Sequence, residues 1–453
     1  MRKPGKNLTT PGIAVEPAES VIERLVAVLQ ILGAFYAIPA IIIVLVFVGE
    51  NTRPYLYPIR AVFAGLCSLV IVQLLLFPRR GFWGWAQIPL AVFWGAYMLR
   101  IIFDGYIQQS DLRLRPDEYL NYAIGMCLVP MWSFFRNRSP STLRLMFSTL
   151  FWSSTFGVAL SVWVYRSLLG TSFGRLGSEE GTAVNPLTVS YMASTLVILC
   201  LYKLLYSTSV FRFKDLIYHG GIALGGVALI MGASRGPLVA VLLCGAIALY
   251  YRLKEKAFVR VILYGVGLVF LLIIGAKVAE MLGSNVAERI AYTREEAKAG
   301  SGEFGRMPVA VLAIKEFLES PLLGSGLDVK ETKSYPHNLL VESLLTTGLI
   351  GGGAFIAFLL SCVLAALRLL RGPGEVAWIP MLFFAYLVES QLSGAVYMSS
   401  VFWVAAALTL TVDRQLQSGR SRHFWTKGVR PDAQPSVGRQ PTANSWSRIA
   451  GGK

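Results

Sequence analysis

Apolar stretches of about 20 residues recur along the chain from Leu25 to Val412, and a helix of that length crosses the roughly 30 Å hydrocarbon core of a bilayer. The runs fall near 24–48, 58–77, 84–103, 119–135, 144–167, 187–207, 215–232, 236–252, 260–280, 338–367, 376–393 and 397–412. They predict an all-α polytopic membrane protein with about 12 transmembrane helices, since a helix satisfies its own backbone hydrogen bonds as lipid requires. The short alternating strands of a membrane barrel are not seen in the pattern. The longest polar-bounded stretch, residues 281–337, precedes the tenth run and reads GEFGRMPVAVLAIKEFLES at its centre. Val309, Leu312, Ala313 and Phe317 repeat there at helical spacing, with Lys315, Glu316 and Glu319 on another face. That pattern predicts an amphipathic helix at the membrane surface, stopped by Pro321.

Composition supports the membrane reading. Of 453 residues, 55% are hydrophobic and 15% charged, against about 25% charged in soluble domains. The first apolar run is too long for a cleaved signal and is expected to remain as an anchor. The net charge of +16 does not call for nucleic acid, because the cations sit in short loops between apolar runs, which is a topology signal. Arg79 and Arg80, Arg136, Arg138 and Arg144, Arg212 and Lys214, Arg252 to Arg260, and Arg368 and Arg371 all fall on one side. That side is assigned to the cytoplasm, so both termini are cytoplasmic. The organisation expected is a cytoplasmic tail over 1–23, a membrane domain over 24–412 with its large loop on the opposite side at 281–337, and a basic disordered cytoplasmic tail over 413–453 near anionic lipid.

Candidate chemistry concentrates on the opposite face. His337 stands in SYPHNLLVESLLTTGLIGGG, where the large loop enters a span. A histidine there suits proton transfer or orientation of a hydroxyl near neutral pH; it equally suits an interfacial residue that satisfies loop carbonyls. Arg175 (TSFGRLGSEEGTAVNP), Arg235 (MGASRGPLVAV) and Arg306 are outer-face cations in unusual contexts. An arginine at membrane depth is costly unless paired, and its guanidinium forks onto phosphate oxygens. The plainer reading is a snorkelling or carboxylate-paired side chain, with Glu179, Glu180 and Glu342 as possible partners. Arg113 and Arg115 in QQSDLRLRPDEY are further outer-face cations that a solvated loop also explains. Glu389 and Gln391 lie near the outer end of a late span, where an acid pairs with an arginine, acts as a base, or simply ends a helix. The five cysteines fall within predicted spans without metal-ligand spacing, and read as small buried hydrophobes. There is no Walker P-loop and no His/Cys/Asp cluster with metal spacing, so neither ATP, a metal nor another cofactor is indicated.

In order along the chain stand Arg175, Asn185-Pro186, Ser234-Arg235-Gly236, Arg306, Pro321-Leu322-Leu323-Gly324-Ser325-Gly326, His337-Asn338, Glu342 and Gly348-Leu349-Ile350-Gly351. This ordered set resembles the O-antigen ligase/polymerase family over roughly residues 150–400, most specifically from about 306 to 360. Leu187 departs from it, where many relatives carry a second Asn. The resemblance implies a GT-C-like glycosyltransferase at the periplasmic face of the bacterial inner membrane. Its donor would be a glycan on undecaprenyl diphosphate, and its acceptor a sugar hydroxyl on lipid A core (ligase) or on a growing polysaccharide (polymerase). Arg175, Arg235 and His337 would then be catalytic, the arginines on the diphosphate and His337 on the acceptor hydroxyl, in a metal-independent, inverting transfer. Arg306, Asn338, Glu342, Arg113 and Arg115 would support substrate binding. From another class, a transporter or flippase of lipid-linked saccharide would also use outer arginines, although its usual internal repeat is not seen.

Overall fold

The computed structural model describes residues 19–35, 53–76, 84–165, 186–206, 215–232, 234–253 and 306–418, with residues 266 and 277. Arg175, the expected span at 260–280, most of the loop before Arg306 and the tail beyond 418 lie outside the described residues. The described elements are all helical: α1 (Val21–Ala34), α2 (Arg53–Leu76), α3 (Gln87–Ile102), α4 (Pro116–Leu120), α5 (Val129–Ser133), α6 (Pro140–Tyr165), α7 (Pro186–Tyr206), α8 (Leu216–Met231), α9 (Arg235–Leu253), α10 (Arg306–Glu319), α11 (Leu339–Leu370), α12 (Trp378–Ser393) and α13 (Ser400–Gln417). A π-helical turn, Phe103–Ile107, prolongs α3, and another, Asn121–Leu128, joins α4 to α5.

Six of the described helices are long and apolar enough to cross a membrane: Pro58–Leu76, Gln87–Ile107, Pro140–Val164, Leu187–Tyr206, Leu339–Leu370 and Gly374–Ser393. Two more, Leu216–Met231 and Gly236–Tyr251, are apolar but shorter. Val62, Leu69, Val72, Leu75 and Leu76 of α2 are exposed, a surface that lipid solvates and water does not. The ends differ in detail from the hydropathy pattern. α1 opens at Val21 because Ser20 and Glu23 form a reciprocal capping box. α13 starts at Ser400 and runs on past 412 to Gln417. Asp413, expected to open the tail, is instead buried and accepts from Arg368 Nε at 3.1 Å and Nη2 at 2.6 Å.

The core gathers on Trp403 of α13. Its ring meets Phe93 and Trp94 of α3 and Phe355 and Phe358 of α11 at 5.0–5.9 Å between centroids. Its indole N–H donates to Val396 O at 2.9 Å, so the ring's polar end is satisfied where it is buried. All five cysteines are buried and free.

The feature that positions the segment beside His337 is a break in α11. Gly348 has φ 61° and ψ −158°, and the helix kinks there. A break frees carbonyls before it and N–H groups after it, which in an apolar setting must find partners. They do. Leu349 N–H donates to Pro321 O at 2.7 Å and Ile350 N–H to Leu322 O at 3.4 Å. Leu345 O accepts from Ser325 N–H at 2.8 Å, and Thr346 O from Arg100 Nε at 2.9 Å. The loop 321–326 thus docks into the break through its backbone. Two glycines permit the approach: a Cβ on Gly324 would lie 2.4 Å from Leu345 O, and one on Gly348 2.3 Å from the Leu322 carbonyl.

Candidate functional site

The short segment of α11 before the break, residues 339–347, carries His337 and Asn338 at its start. Asn338 is the N-cap, its Oδ1 accepting from Val341 N–H at 3.0 Å. Its Nδ2 donates to Gln391 O of α12 at 2.9 Å, and Gln391 Oε1 accepts from Leu340 N–H at 3.3 Å. The cap is therefore tied twice to the C-terminal end of α12. His337, just ahead of it, has φ 58°, a conformation uncommon for a residue with a Cβ and associated with functional sites. Its ring lies against Tyr335 with centroids 4.2 Å apart, and the residue is half-buried rather than sealed.

Around this pair three separate segments converge. The Arg113 guanidinium sits over the Tyr335 ring at 4.8 Å, a cation–π contact. Asp328 Oδ2 accepts from Arg113 N–H at 3.0 Å and from the Tyr119 hydroxyl at 2.6 Å. Tyr397 meets Tyr119 and Tyr335 edge-on at 4.8 and 6.1 Å. The loop that carries Tyr397 is pinned by Cys127 Sγ donating to Tyr397 O at 3.2 Å, and by Glu342 from beneath. Glu342 is fully buried and its Oε1 accepts from Val396 N–H at 3.1 Å and Tyr97 OH at 3.3 Å. Arg115 goes elsewhere. It is largely exposed and pairs with Asp117 at 3.0 Å, as a solvated loop cation does.

Arg235 is the first residue of α9, and the next residue, Gly236, lies beside the C-terminal end of α12: a Cβ there would lie 3.7 Å from Leu392 Cβ and 3.8 Å from Ser393 Oγ. The start of α9 and the cap beside His337 thus lie next to the same few residues, 391–393. Arg306 opens α10, whose Val309 and Ala313 pack with Leu345 of α11. A helix does form over the stretch where an amphipathic one was expected, and it exposes the apolar side chains Met307, Val311, Ile314 and Leu318. Within it Glu316 accepts from Lys330 N–H at 2.9 Å, and burial pushes its carboxyl above the usual range. The Arg235 and Arg306 side chains lie outside the described atoms.

Residues 220–356 match the O-antigen ligase family. That match, over less than a third of the chain, supports a place for this segment in the O-antigen ligase/polymerase family. The matched segment takes in α9 with Arg235, α10 with Arg306, the docked loop, His337 and the break in α11. The match supports O-antigen ligase/polymerase-type activity in surface polysaccharide synthesis, a family chemistry whose general partners are a lipid-linked glycan and a polysaccharide acceptor. No curated protein matches the chain.

Several residues of this candidate site escaped the sequence. Asp328, Tyr397 and Tyr119 carry no motif. Nor does the sequence reveal Tyr335 as the ring against His337. Histidine outside the site has a plain structural use: His219 Nδ1 is 2.8 Å from Asp215 O, one turn back on α8.

Proposed function

We propose that the protein transfers a glycan from undecaprenyl diphosphate to a sugar hydroxyl at the outer face of the bacterial inner membrane, with His337 on the acceptor side and Arg235 and Arg175 on the diphosphate side. The observation that carries the reading is the fixation of His337. Its left-handed backbone, double-tied cap and Tyr335 contact hold a partly open imidazole in one place. The donor needs no activation, since its diphosphate is already a leaving group. What remains is alignment and charge stabilisation, which a pre-organised site supplies.

In the step, the acceptor oxygen forms a bond to the anomeric carbon as the bond from that carbon to the diphosphate oxygen breaks. The electron pair leaves with the diphosphate, whose developing charge Arg235 and Arg175 bind. The hydroxyl proton passes to a nitrogen of His337. Attack from the face opposite the leaving group inverts the anomeric centre. This route assigns charge stabilisation to arginine and needs no metal. Arg306 binds the donor or orders the loop, and Arg113, over Tyr335, borders the acceptor side. Arg115 stays peripheral. Asn338 and Glu342 act by holding the His337 segment and the Tyr397 loop.

The test is a reconstituted transfer assay with undecaprenyl-diphosphate glycan, with and without lipid A core, comparing wild type and His337→Ala. Product that requires the core and disappears in the variant supports a ligase using His337. Longer lipid-linked chains without core support a polymerase. No transfer to any saccharide acceptor would overturn the reading.

A further inference from the structure

Arg100 and Asp104 lie on α3 and its π-helical extension, one turn apart and within an apolar span. A charged pair at that depth is expensive and calls for a reason. Its bonds go to the break in α11 and the loop docked there. Arg100 Nε donates to Thr346 O at 2.9 Å, the carbonyl that the break leaves open, and Nη2 reaches Leu323 O of the docked loop at 3.4 Å. Nη1 pairs with Asp104 Oδ1 at 3.3 Å. Asp104 Oδ2 in turn accepts from Leu327 N–H at 2.9 Å, one residue before Asp328. Both side chains are largely buried, at 12% and 2% exposure. The π-helical turn that starts at Phe103 widens the helix where Asp104 sits, and such turns recur at functional sites.

We propose that Arg100 and Asp104 are positioning residues that set the angle of residues 339–347, and through it the place of His337. The other bonds between the docked loop and the broken helix run from backbone to backbone. Arg100 adds a side chain that bonds to both sides of the joint, and Asp104 fixes Arg100 and the loop's exit together. The planar guanidinium matters here, because three nitrogens serve three separate acceptors; an ammonium on a flexible stem does not hold that geometry. The proposal rests on the reading of His337 as the acceptor-side residue.

The experiment uses the full chain in detergent or nanodiscs. The variant is Arg100→Met with Asp104→Asn, which removes the donors to Thr346 O and Leu323 O without leaving an unpaired buried charge, and keeps an acceptor for Leu327 N–H. Arg100→Lys is the conservative companion. Kinetics are read per folded molecule after size exclusion. The expected result is a kcat lowered by about 100-fold, the scale of a 1 Å misplacement, with donor KM little changed and Arg100→Lys intermediate. A second readout needs no activity. In a His337→Cys background the rate of modification by an impermeant thiol reagent is compared with and without the double substitution; the native cysteines are buried. The rate is expected to change severalfold. A changed thiol rate with no transfer by the wild type would sink the transferase reading and leave the positioning intact. An unchanged thiol rate, or a folded double variant with wild-type kcat, would overturn the positioning role.

Discussion

Gly348→Ala tests the joint on which the site rests. Gly348 occupies φ 61°, ψ −158°, a region essentially restricted to glycine, where another residue costs about 1–3 kcal/mol. The added Cβ would lie 2.3 Å from both the carbon and the oxygen of the Leu322 carbonyl and 2.5 Å from Leu323 N. These are backbone atoms, so no side chain can swing aside. The loop must lift, and the bonds from Leu349 to Pro321 and from Ile350 to Leu322 go with it. At a net 0.5–1.5 kcal/mol for each hydrogen bond, the total is about 2–6 kcal/mol. Gly353→Ala is the control. It lies on the same helix with nothing within 4 Å of the place its new methyl would take, and Gly→Ala at a compatible site stabilises by about 0.4–1 kcal/mol. The assay is the midpoint of thermal unfolding of purified protein, followed by size exclusion after heating, with transfer measured on the surviving folded fraction. Gly348→Ala should melt several degrees below wild type and lose transfer, while Gly353→Ala matches or exceeds wild type in both. Equal midpoints and equal activity for the two variants would refute the docked joint.

Asn338→Ala removes a helix cap worth about 1 kcal/mol along with the tie to Gln391 O, so melting should fall modestly while kcat falls further, both read on one preparation. Glu342→Gln keeps an acceptor for Val396 N–H and should be nearly silent in melting, whereas Glu342→Leu strands that buried donor at about 1–3 kcal/mol; equal stability of the two would contradict the bond to Val396. Arg235→Lys keeps a charge but loses the fork, and should reduce transfer sharply without altering the melting midpoint; full activity would count against diphosphate binding there.

The helical class and the lipid-facing character were legible because each depends on local pattern alone. A run such as 58–77 needs only length and apolarity to be recognised, and α2 follows it to Leu76. The amphipathic stretch at Val309–Phe317 was likewise visible, since periodicity is a local property, and α10 closes at Glu319, ahead of the Pro321 stop. Contacts across distance were not legible. Pro321–Gly326 and Gly348–Gly351 were visible as separate motifs, yet that one glycine exists to let the other's loop approach follows only from the packing. The helix ending at Gln417 instead of 412 depends on the Arg368–Asp413 pair, whose members are far apart in sequence. Tyr397 fell within an expected span, because its loop is apolar; it leaves the helix since Glu342 takes Val396 N–H and Trp403 takes Val396 O. Leu339–Leu370 read as one span for the same reason, as hydropathy does not register a single glycine in a left-handed turn.

The distribution of bonds around the site fits the chemistry proposed for it. A sugar diphosphate brings its own leaving group, so the barrier left to the enzyme is one of alignment and charge. Alignment demands that the group facing the acceptor and the group facing the diphosphate keep a fixed separation. His337 and Arg235 lie at the starts of different helices, α11 and α9, and could drift apart if each were anchored independently. Both instead start beside the C-terminal end of α12: the first is tied there through Asn338 and Gln391, and the second lies there with Gly236 next to Leu392 and Ser393. The break in α11 separates the short segment that follows His337 from the long apolar helix beyond it. Residues 339–347 are held to α12 through Asn338 and to Arg100 through Thr346 O. On this view the glycine joint and the α12 tie are complementary, and weakening either one should affect turnover before it affects donor binding.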